Sequence, residues 1–511
     1  MPKYVRQLSF TPQARSLINL AEEFLRARNV KAYLVGGTVR DAISGKPTND
    51  IDIAVDGPAL ELSQQLADAS FGAFVAMNEE HRVARIVLER DGTGWHLDIS
   101  SLQGTLADDM SRRDFSVDSM AVPLVHLERN QTLAEVYDDF GGINDLAGKK
   151  IRHLNDHVFK SDPVRMLRAV RLAVQLGFTI DRPTNGLIRN DSKLLTIAPA
   201  ERLREEFCRI LAFPRAAGSI RAMDSLGLLG QLLPELDSSR GVSQPLEHYW
   251  NVFDHSIETM NATEAALRIN RNGYAATTII EIPWTAEIAS YIKEEVSGSM
   301  TRATLVKLAA LFHDIAKPET KNIDDNGRMH FFGHPKLGAE KIIAIMKRLR
   351  FSTKETLLVE KLVEHHLRPG LMSTNQELPT KRAIYRYYRD THPVSLELLY
   401  LNLADYLAAR GPLLQVDEWR MYAARIRHIL AARSEEPKTV APALLVNGTD
   451  LMNVLGLGPG PAIGILLEVI REAQAAGEVT NRQEALSLAT RELERQYESG
   501  LANGNQQVGL N

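Results

Sequence analysis

Residues 33–53 read YLVGGTVRDAISGKPTNDIDI. A short apolar run, Tyr33-Leu34-Val35, meets a Gly-Gly pair, then a helical stretch, then a second apolar run that carries two aspartates. The order predicts strand, turn, helix and strand. Asp50 and Asp52 are two residues apart, so a strand presents both carboxylates on one face. Adjacent carboxylates repel unless a cation neutralises them, and a divalent metal is the natural partner. Gly36 and Gly37 let the backbone come close to an anion at a helix start, where free amides point outward. A metal beside a phosphate cradle is the minimal equipment for phosphoryl or nucleotidyl transfer.

The surrounding chain is 511 residues long, enough for several domains, with a formal net charge of −4. It has no apolar run long enough to span a membrane. The start MPKYVRQLSF has no apolar core of a signal peptide, and Cys208 is the only cysteine. A lone cysteine excludes an internal disulfide and a cysteine-based zinc site, and a cytoplasmic location is expected. The net charge argues against a general nucleic-acid binder, but local charge matters more. Between Lys149 and Arg171, seven Lys/Arg stand against Asp156 and Asp162. Lys149, Lys150, Arg152, Lys160 and Arg171 are therefore candidate RNA-backbone contacts. A solvated helix face is the plainer alternative.

Further blocks follow in order. They are RRDFSVDSMA (112–121), YDDFGGINDL (137–146), SDPVRMLRAVR (161–171) and ERL within 201–211. With the 33–53 stretch, they resemble the class II tRNA nucleotidyltransferase/poly(A) polymerase family of the polymerase β superfamily. The resemblance covers residues 31–211. It implies that Asp50 and Asp52 hold Mg2+ and activate the attacking hydroxyl, with Asp98 as a third acid, either a base or metal ligand or a plain surface strand carboxylate. Gly36, Gly37 and Arg40 would hold the triphosphate, unless Arg40 pairs with Asp41 instead. Arg112, Arg113 and Asp114 would orient phosphate and ribose. The chain departs from the family motif at Asp118, where asparagine is usual, and at Ser119, where alanine is usual.

Ser161 is expected to cap the 161–171 helix, with Pro163 in its first turn. Asp162 and Arg165, three apart, would then share a face. An accepting carboxylate beside a donating guanidinium matches the amino and ring-nitrogen edge of cytosine and adenine and rejects uracil and guanine. The family assigns base selection to this helix, and Arg168 would extend the face. A simple salt bridge is the alternative.

Full CCA-adding relatives carry a longer flexible loop between the acidic strand and the RRD motif. Here only SSLQGTLADDMS, residues 100–111, separates Ile99 from Arg112. This resembles the CC-adding subgroup. The signature that follows the first motif in proteobacterial poly(A) polymerases is absent from 53–66.

In the second half, His255, His313-Asp314, His334, His365-His366 and Asp405 resemble an HD-domain metal set. Imidazoles and carboxylates suit Mg, Mn, Fe, Ni or Zn, and the identity of the metal stays open. The adjacent histidines with His334 would allow a second metal and phosphoester hydrolysis. A degenerate HD fold kept as an RNA scaffold is the alternative. His248 lies nearby in sequence or is merely structural. GLGPGPAIG (456–464) is similar to a phosphate-meeting helix–hairpin turn, or is a plain connector.

The expected fold is α+β. A small mixed-sheet polymerase β-like head (1–145), with strands near 31–35, 50–55, 83–89, 95–100 and 117–125, precedes all-α modules. These are a helical neck (146–240), an HD domain (241–433), a helical C-terminal RNA-binding module (434–498) and a disordered tail (499–511). Residues 267–300 fit no expected element. The expected function is metal-dependent addition of CMP and/or AMP to the tRNA 3′ end, with tRNA, CTP and ATP as partners. An HD phosphohydrolase activity is expected beside it. The alternatives are a poly(A) polymerase or A-adding enzyme, and a phosphohydrolase or RNA-binding protein with a silent head. Oligomeric state is left open.

Overall fold

The structure, a computed structural model, describes residues 2–78, 82–90, 92–127, 133–271, 273–298, 300–372, 377–435, 440 and 442–504. Contacts divide the chain into two compact units. One comprises 1–210 with 222–232, the other 211–221 with 233–511.

The first unit is built on an eight-stranded mixed sheet. Its strands are β1 (Lys3–Gln7), β2 (Ala32–Val35), β3 (Asp50–Val55), β4 (Ala73–Asn78), β5 (Val83–Arg90), β6 (Thr93–Ser101), β7 (Ala121–Pro123) and β8 (Leu133–Tyr137), in the order β1-β8-β7-β2-β3-β6-β5-β4. Only β3 and β6 run parallel; the other pairs are antiparallel. Three strands were not expected: β1, β4 and β8. The expected strand over 117–125 shrinks to Ala121–Pro123, flanked by 3-10 turns at Ser116–Asp118 and Leu124–His126. Two turns in nine residues leave no room for a full strand.

Alternation in β3 and β6 separates two faces. Ile51, Ile53, Leu97 and Ile99 are fully buried on one side, each worth about 1.5–3 kcal/mol of apolar burial. The other side carries Asp50 and Asp52, opposite His96 and Asp98 in register. Helix α1 (Pro12–Arg26) starts from a Thr11 cap, α2 (Gly36–Ser44) follows β2 directly, and α3 (Ala59–Ser70) packs on the sheet. Helix α4 (Leu106–Ser111) begins with a capping box between Thr105 and Asp108. Helix α5 (Gly142–Ala147) is capped by Asp138, whose two oxygens accept the amides of Gly142 and Ile143 at 2.8 and 2.9 Å. A Cβ at Gly142 would sit 2.2 Å from the Ser116 carbonyl, so only glycine fits there.

Beyond the sheet come α6 (Val158–Ser161), α7 (Arg165–Leu176), α8 (Arg182–Asp191) and α9 (Ala200–Ala212). Ser161 does not cap α7. It ends α6, its hydroxyl donates to the Val158 carbonyl, and α7 starts from Val164 without a side-chain cap. Pro163 has no amide and disfavours helical geometry at Asp162, which is extended (φ −154°, ψ 97°), so the helix restarts after it.

The second unit is mostly helical. Helices Val252–Ala266 and Ser395–Arg410 are buried nearly all round and lie at its centre with Arg302–Phe312. The 267–300 segment holds two short helices, Ala276–Ile280 and Ala286–Tyr291, and strand Glu295–Ser297, which pairs with Met300–Thr301. Buried Lys307 donates to the Leu211 and Phe213 carbonyls and to Glu264, which in turn accepts the Arg215 and Ala216 amides. Helices Gly448–Leu455, Pro461–Ala476 and Arg482–Gly504 close a small core around Leu451, Leu466 and Ile470. Helix Lys381–Thr391 meets Pro461–Ala476 through charge: Arg382 pairs with Glu472 and Glu478, Arg386 with Glu472, and Arg389 with Glu468. Helix Arg482–Gly504 covers the first residues of the expected tail; 505–511 lie outside the described residues, as do 436–439 and 441 of the expected linker. Among the described residues no helix is long and apolar enough to cross a membrane.

Candidate active site

In the first unit, β3 delivers Asp50 and Asp52 to the sheet face next to the start of α2. Thr38 fixes the strand: its hydroxyl accepts the Asp52 amide at 2.7 Å and donates to the Asp50 carbonyl at 3.3 Å. Asp50 is largely exposed and pairs with His96 Nδ1 at 2.8 Å. Burial pushes Asp52 up to about 6, Arg113 opposes this, and the charges of Asp98 and Asp118 add to it. Asp98 is the register partner of Asp52, but Arg85 grips both its oxygens at 2.8 and 2.7 Å. It is therefore a neutralised neighbour and not a free base.

Gly36 is in the left-handed region (φ +65°). A Cβ there would lie 2.8 Å from Arg113 Nη1 and 3.1 Å from Asp52 Oδ2. The glycine is required because carboxylate, guanidinium and backbone converge on one point. Gly37 opens on the same space, 3.7 Å from Asp52 Oδ2 by the same measure.

Arg40 borders this space, its Nη2 3.2 Å from where a Gly37 Cβ would sit, but it takes the alternative expected for it, the pairing with Asp41. It is buried, with its fork on Asp41 at 2.9 and 3.0 Å and Nη1 on Asp118 at 2.5 Å. It braces α2, with all three guanidinium nitrogens engaged by the two carboxylates. Asp118 is buried beneath the site. Burial pushes its carboxyl up, yet Arg40, Arg168 and Arg113 outweigh that and hold it below the usual range.

Arg112 folds over the short connection, donating to the Gln103 side chain at 3.1 Å and to the Gln103 carbonyl. Arg113 reaches the Asp118 carbonyl at 3.5 Å and Asp109 at 3.6 Å. Asp114 is buried, accepts the Phe115 amide and pairs with Arg168 at 2.5 Å.

Asp162 precedes α7 and Arg165 opens it, so they are neighbours across a helix start, with 3.7 Å between the charges. The shared helix face expected for them is not there, because the extended Asp162 backbone takes it out of the helix. A stronger partner was missed: Arg202 of α9 grips Asp162 at 3.0 and 2.7 Å. The ERL block contained it, but forty residues separate the two and no periodicity links them. Arg165 also donates to the Arg112 carbonyl at 3.0 Å, which ties α7 to the RRD turn.

Of the five expected RNA contacts, Lys149, Lys150 and Lys160 are exposed. Arg152 is half-buried and held by Asp145 and the Phe140 carbonyl. Arg171 is buried against Glu206 at 2.6 Å and Gln175 at 2.8 Å, so it is a core ion pair and not an RNA contact.

In the second unit, five helices and their ends bring His255, His313, Asp314, His334, His366 and Asp405 together. Asp314 lies between two groups. His255 and His313 approach its Oδ2 at 3.5 and 3.2 Å; His334 and His366 approach its Oδ1 at 3.2 and 3.6 Å. Asp405 joins the first group, 2.9 Å from His255 and 3.6 Å from His313.

The Nδ1 atoms of His313, His334 and His366 sit 2.7–2.8 Å from the carbonyls of Ala310, Phe331 and Val363. For His334 and His366, donation there leaves Nε2 a lone pair; at His313 burial is outweighed by the carboxylates of Asp314 and Asp405, which push it up to about 10. The Nε2 atoms face one another, His255 to His313 at 3.2 Å and His334 to His366 at 3.3 Å. Neither oxygen of Asp314 makes a hydrogen bond, although Lys317 stands 2.6 Å away. Buried imidazole nitrogens converging on a buried carboxylate fit divalent cations once the metal displaces their protons. Burial, with the neighbouring imidazoles, pushes His366 down to about 3.

His365 does not join the cluster. It ends helix Thr353–His365, one residue before the turn that aims His366 inward, and lies 3.6 Å from Glu364. His248, left undecided by the sequence, packs edge-on against His255 with ring centroids 5.3 Å apart.

Residues 32–152 match the Poly A polymerase head domain, 284–410 the HD domain, and 437–489 domain 2 of tRNA nucleotidyltransferases. His255 lies upstream of the matched HD residues. An A-adding tRNA nucleotidyltransferase of Deinococcus radiodurans is 32% identical over 466 residues, 90% of this chain and 95% of the relative. A CC-adding tRNA nucleotidyltransferase of Thermus thermophilus is 30% identical over 465 residues, 89% of this chain and 92% of the relative. The CCA-adding enzyme of Thermotoga maritima, solved in complex with tRNA, shares the fold with a TM-score of 0.58 at 22% identity, covering 96% of this chain and 99% of that one. With the ordered motifs and the geometry around Asp50 and Asp52, these likenesses mean that the chain belongs to the tRNA nucleotidyltransferase/poly(A) polymerase family and is a nucleotidyltransferase.

Proposed function

We propose that the protein adds CMP to the 3′ end of tRNA in the cytoplasm and stops at CC. The observation that carries this reading is the connection between β6 and the RRD motif. Ten residues, 102–111, make that connection. They are folded as a capped short helix and stitched to Arg112 through Gln103. No free loop is left to reorganise the site for a different last nucleotide.

Asp50 and Asp52 are the residues that would hold Mg2+, which when bound screens phosphate charge and lowers the proton affinity of the attacking hydroxyl. The rest of the work falls to side chains. Arg113 reaches the space opened by Gly36 and Gly37 and can meet a phosphate there. Asp162 and Arg165 flank the start of α7 and read the base edge; Arg202 keeps the Asp162 carboxylate oriented. Lys149, Lys150 and Lys160 offer charge to the RNA backbone.

A second reading, addition of a single AMP to CC ends, is favoured by the A-adding relative of Deinococcus radiodurans. In the second unit, the histidine–aspartate cluster suits phosphoester hydrolysis, with His255, His313, Asp314 and Asp405 around one cation and Asp314, His334 and His366 around another.

The test offers each labelled nucleotide with tRNA lacking CCA, tRNA ending in CC and complete tRNA. CMP addition that halts at CC is expected. AMP addition only to CC ends supports the second reading, and CC followed by A, or long A tails, overturns both.

A further inference from the structure

Asp118 stands where the family motif has asparagine, and it occupies the centre of the head. It lies in the 3-10 turn Ser116–Asp118 and is 2% exposed. Its Oδ1 accepts Arg40 Nη1 at 2.5 Å, and Arg40 belongs to α2, the helix that begins at Gly36. Its Oδ2 is 3.6 Å from Arg168 Nη2 and makes no hydrogen bond. Arg168 belongs to α7, the helix that Arg165 opens and Asp162 precedes. The same guanidinium meets Asp114 through Nε at 2.5 Å, and its side chain is 40% exposed. One buried carboxylate thus stands between the helix of the glycine pair and the helix at the base edge.

The two ends of this link differ. Arg40 is held by two carboxylates and is buried. Arg168 is anchored through Nε on Asp114 at 2.5 Å, is only loosely held by Asp118 at its Nη2 end, and still reaches solvent. A charge-assisted contact at 3.6 Å is long and weak. A polyanion entering the site would draw the exposed guanidinium away from it. An asparagine could still accept from Arg40, but its amide would present a donor to the Arg168 donor and free the Nη2 end of that guanidinium to swing about its Asp114 anchor.

We propose that Asp118 is a positioning residue of the nucleotide site: it parks the Arg168 guanidinium in competition with the incoming triphosphate and couples it through Arg40 to the glycine-lined start of α2. This rests on the reading that α7 faces the nucleotide. The carboxylate weakens ground-state nucleotide binding and releases Arg168 only when phosphate charge is present.

The test is equilibrium binding of CTP and ATP to the full chain without tRNA, where no transfer occurs, beside KM and kcat with tRNA. Asp118→Asn is expected to tighten both nucleotides about 3- to 10-fold, the worth of one weakened ion pair. KM should follow, with kcat falling because Arg168 has lost its resting position. In an Arg168→Gln background the gain from Asp118→Asn should shrink, the sign of coupling between the two residues. Asp118→Glu keeps the charge and should bind like the parent. Unchanged affinity in Asp118→Asn, or an equal gain in the Arg168→Gln background, overturns the proposal. Should Asp118→Asn fail to fold, Arg168→Gln alone decides: weaker binding supports the proposal and unchanged binding overturns it. Binding without tRNA is independent of which nucleotide is finally added, so the product-specificity reading can fail while this one stands.

Discussion

Arg202 of α9 grips both oxygens of Asp162, at 3.0 and 2.7 Å, from forty residues downstream. Asp162 is the residue expected to accept from the base, so its orientation depends on a side chain in another helix. Arg202 is half-exposed, and the pair adds at most about 1 kcal/mol to stability. Replacing Arg202 by alanine should therefore leave the melting temperature nearly unchanged. Discrimination of CTP and ATP against UTP and GTP should fall several-fold, up to about tenfold. Competition assays with all four nucleotides check this, and unchanged discrimination would remove Arg202 from the site.

Asp52 gives a pH prediction. Its folded value, pushed up to about 6 by burial, lies above the ordinary carboxylate value. Its contribution to stability is full below about pH 4 and is lost as the pH rises through about 6. Asp52→Asn should thus stabilise the metal-free protein above pH 6, by about 1–3 kcal/mol, and the gain should fade near pH 4. It should also abolish nucleotide transfer. Chelator-treated protein melted across this range is the measurement; a gain that does not change with pH contradicts the assignment.

His365 and His366 are neighbours in sequence and opposites in role. His366→Ala should cost the protein about one equivalent of bound divalent metal, measured by elemental analysis after loading and dialysis. His365→Ala should keep full stoichiometry. Equal losses would show that the turn after helix Thr353–His365 does not separate the two rings.

Gly36→Ala places a Cβ 2.8 Å from Arg113 Nη1 in a left-handed residue. Backbone strain alone costs about 1 kcal/mol or more, and displacement of Arg113 should lower transfer about 100-fold. Gly45→Ala has the same φ but open space around it, so it should share the strain and keep the activity. Comparing the two variants by melting and by nucleotide incorporation separates strain from collision.

The parts of the head that could be read in the sequence were those with local signals. Tyr33–Val35 and Asp50–Val55 alternate or run apolar between turn residues, and the strands stand there. The edge strand β1 and its neighbour β8 are short and come from opposite ends of the head's sequence, Lys3 opposite Tyr137, so nothing local announces them. The same limit applies to charge. Asp50, Asp52 and the histidine–aspartate cluster were visible because chemistry repeats at fixed spacing. The destinations of arginines were not, since a guanidinium reaches any carboxylate the fold brings near. Arg40, Arg85, Arg171 and Arg202 each found partners that sequence distance hides. Asp162 moved off its helix because the proline after it favours an extended backbone, a local signal outweighed by the pull of helical periodicity.

The joint between helix Lys381–Thr391 and helix Pro461–Ala476 is a ladder of arginines on glutamates. Such a seam is tuned by ionic strength. Its pairs are partly exposed, and the screening length is about 8 Å in physiological salt. The arginines that bind Glu468, Glu472 and Glu478 are also those that an RNA backbone would compete for. The last helices are fastened by a joint that loosens as salt rises and tightens as it falls.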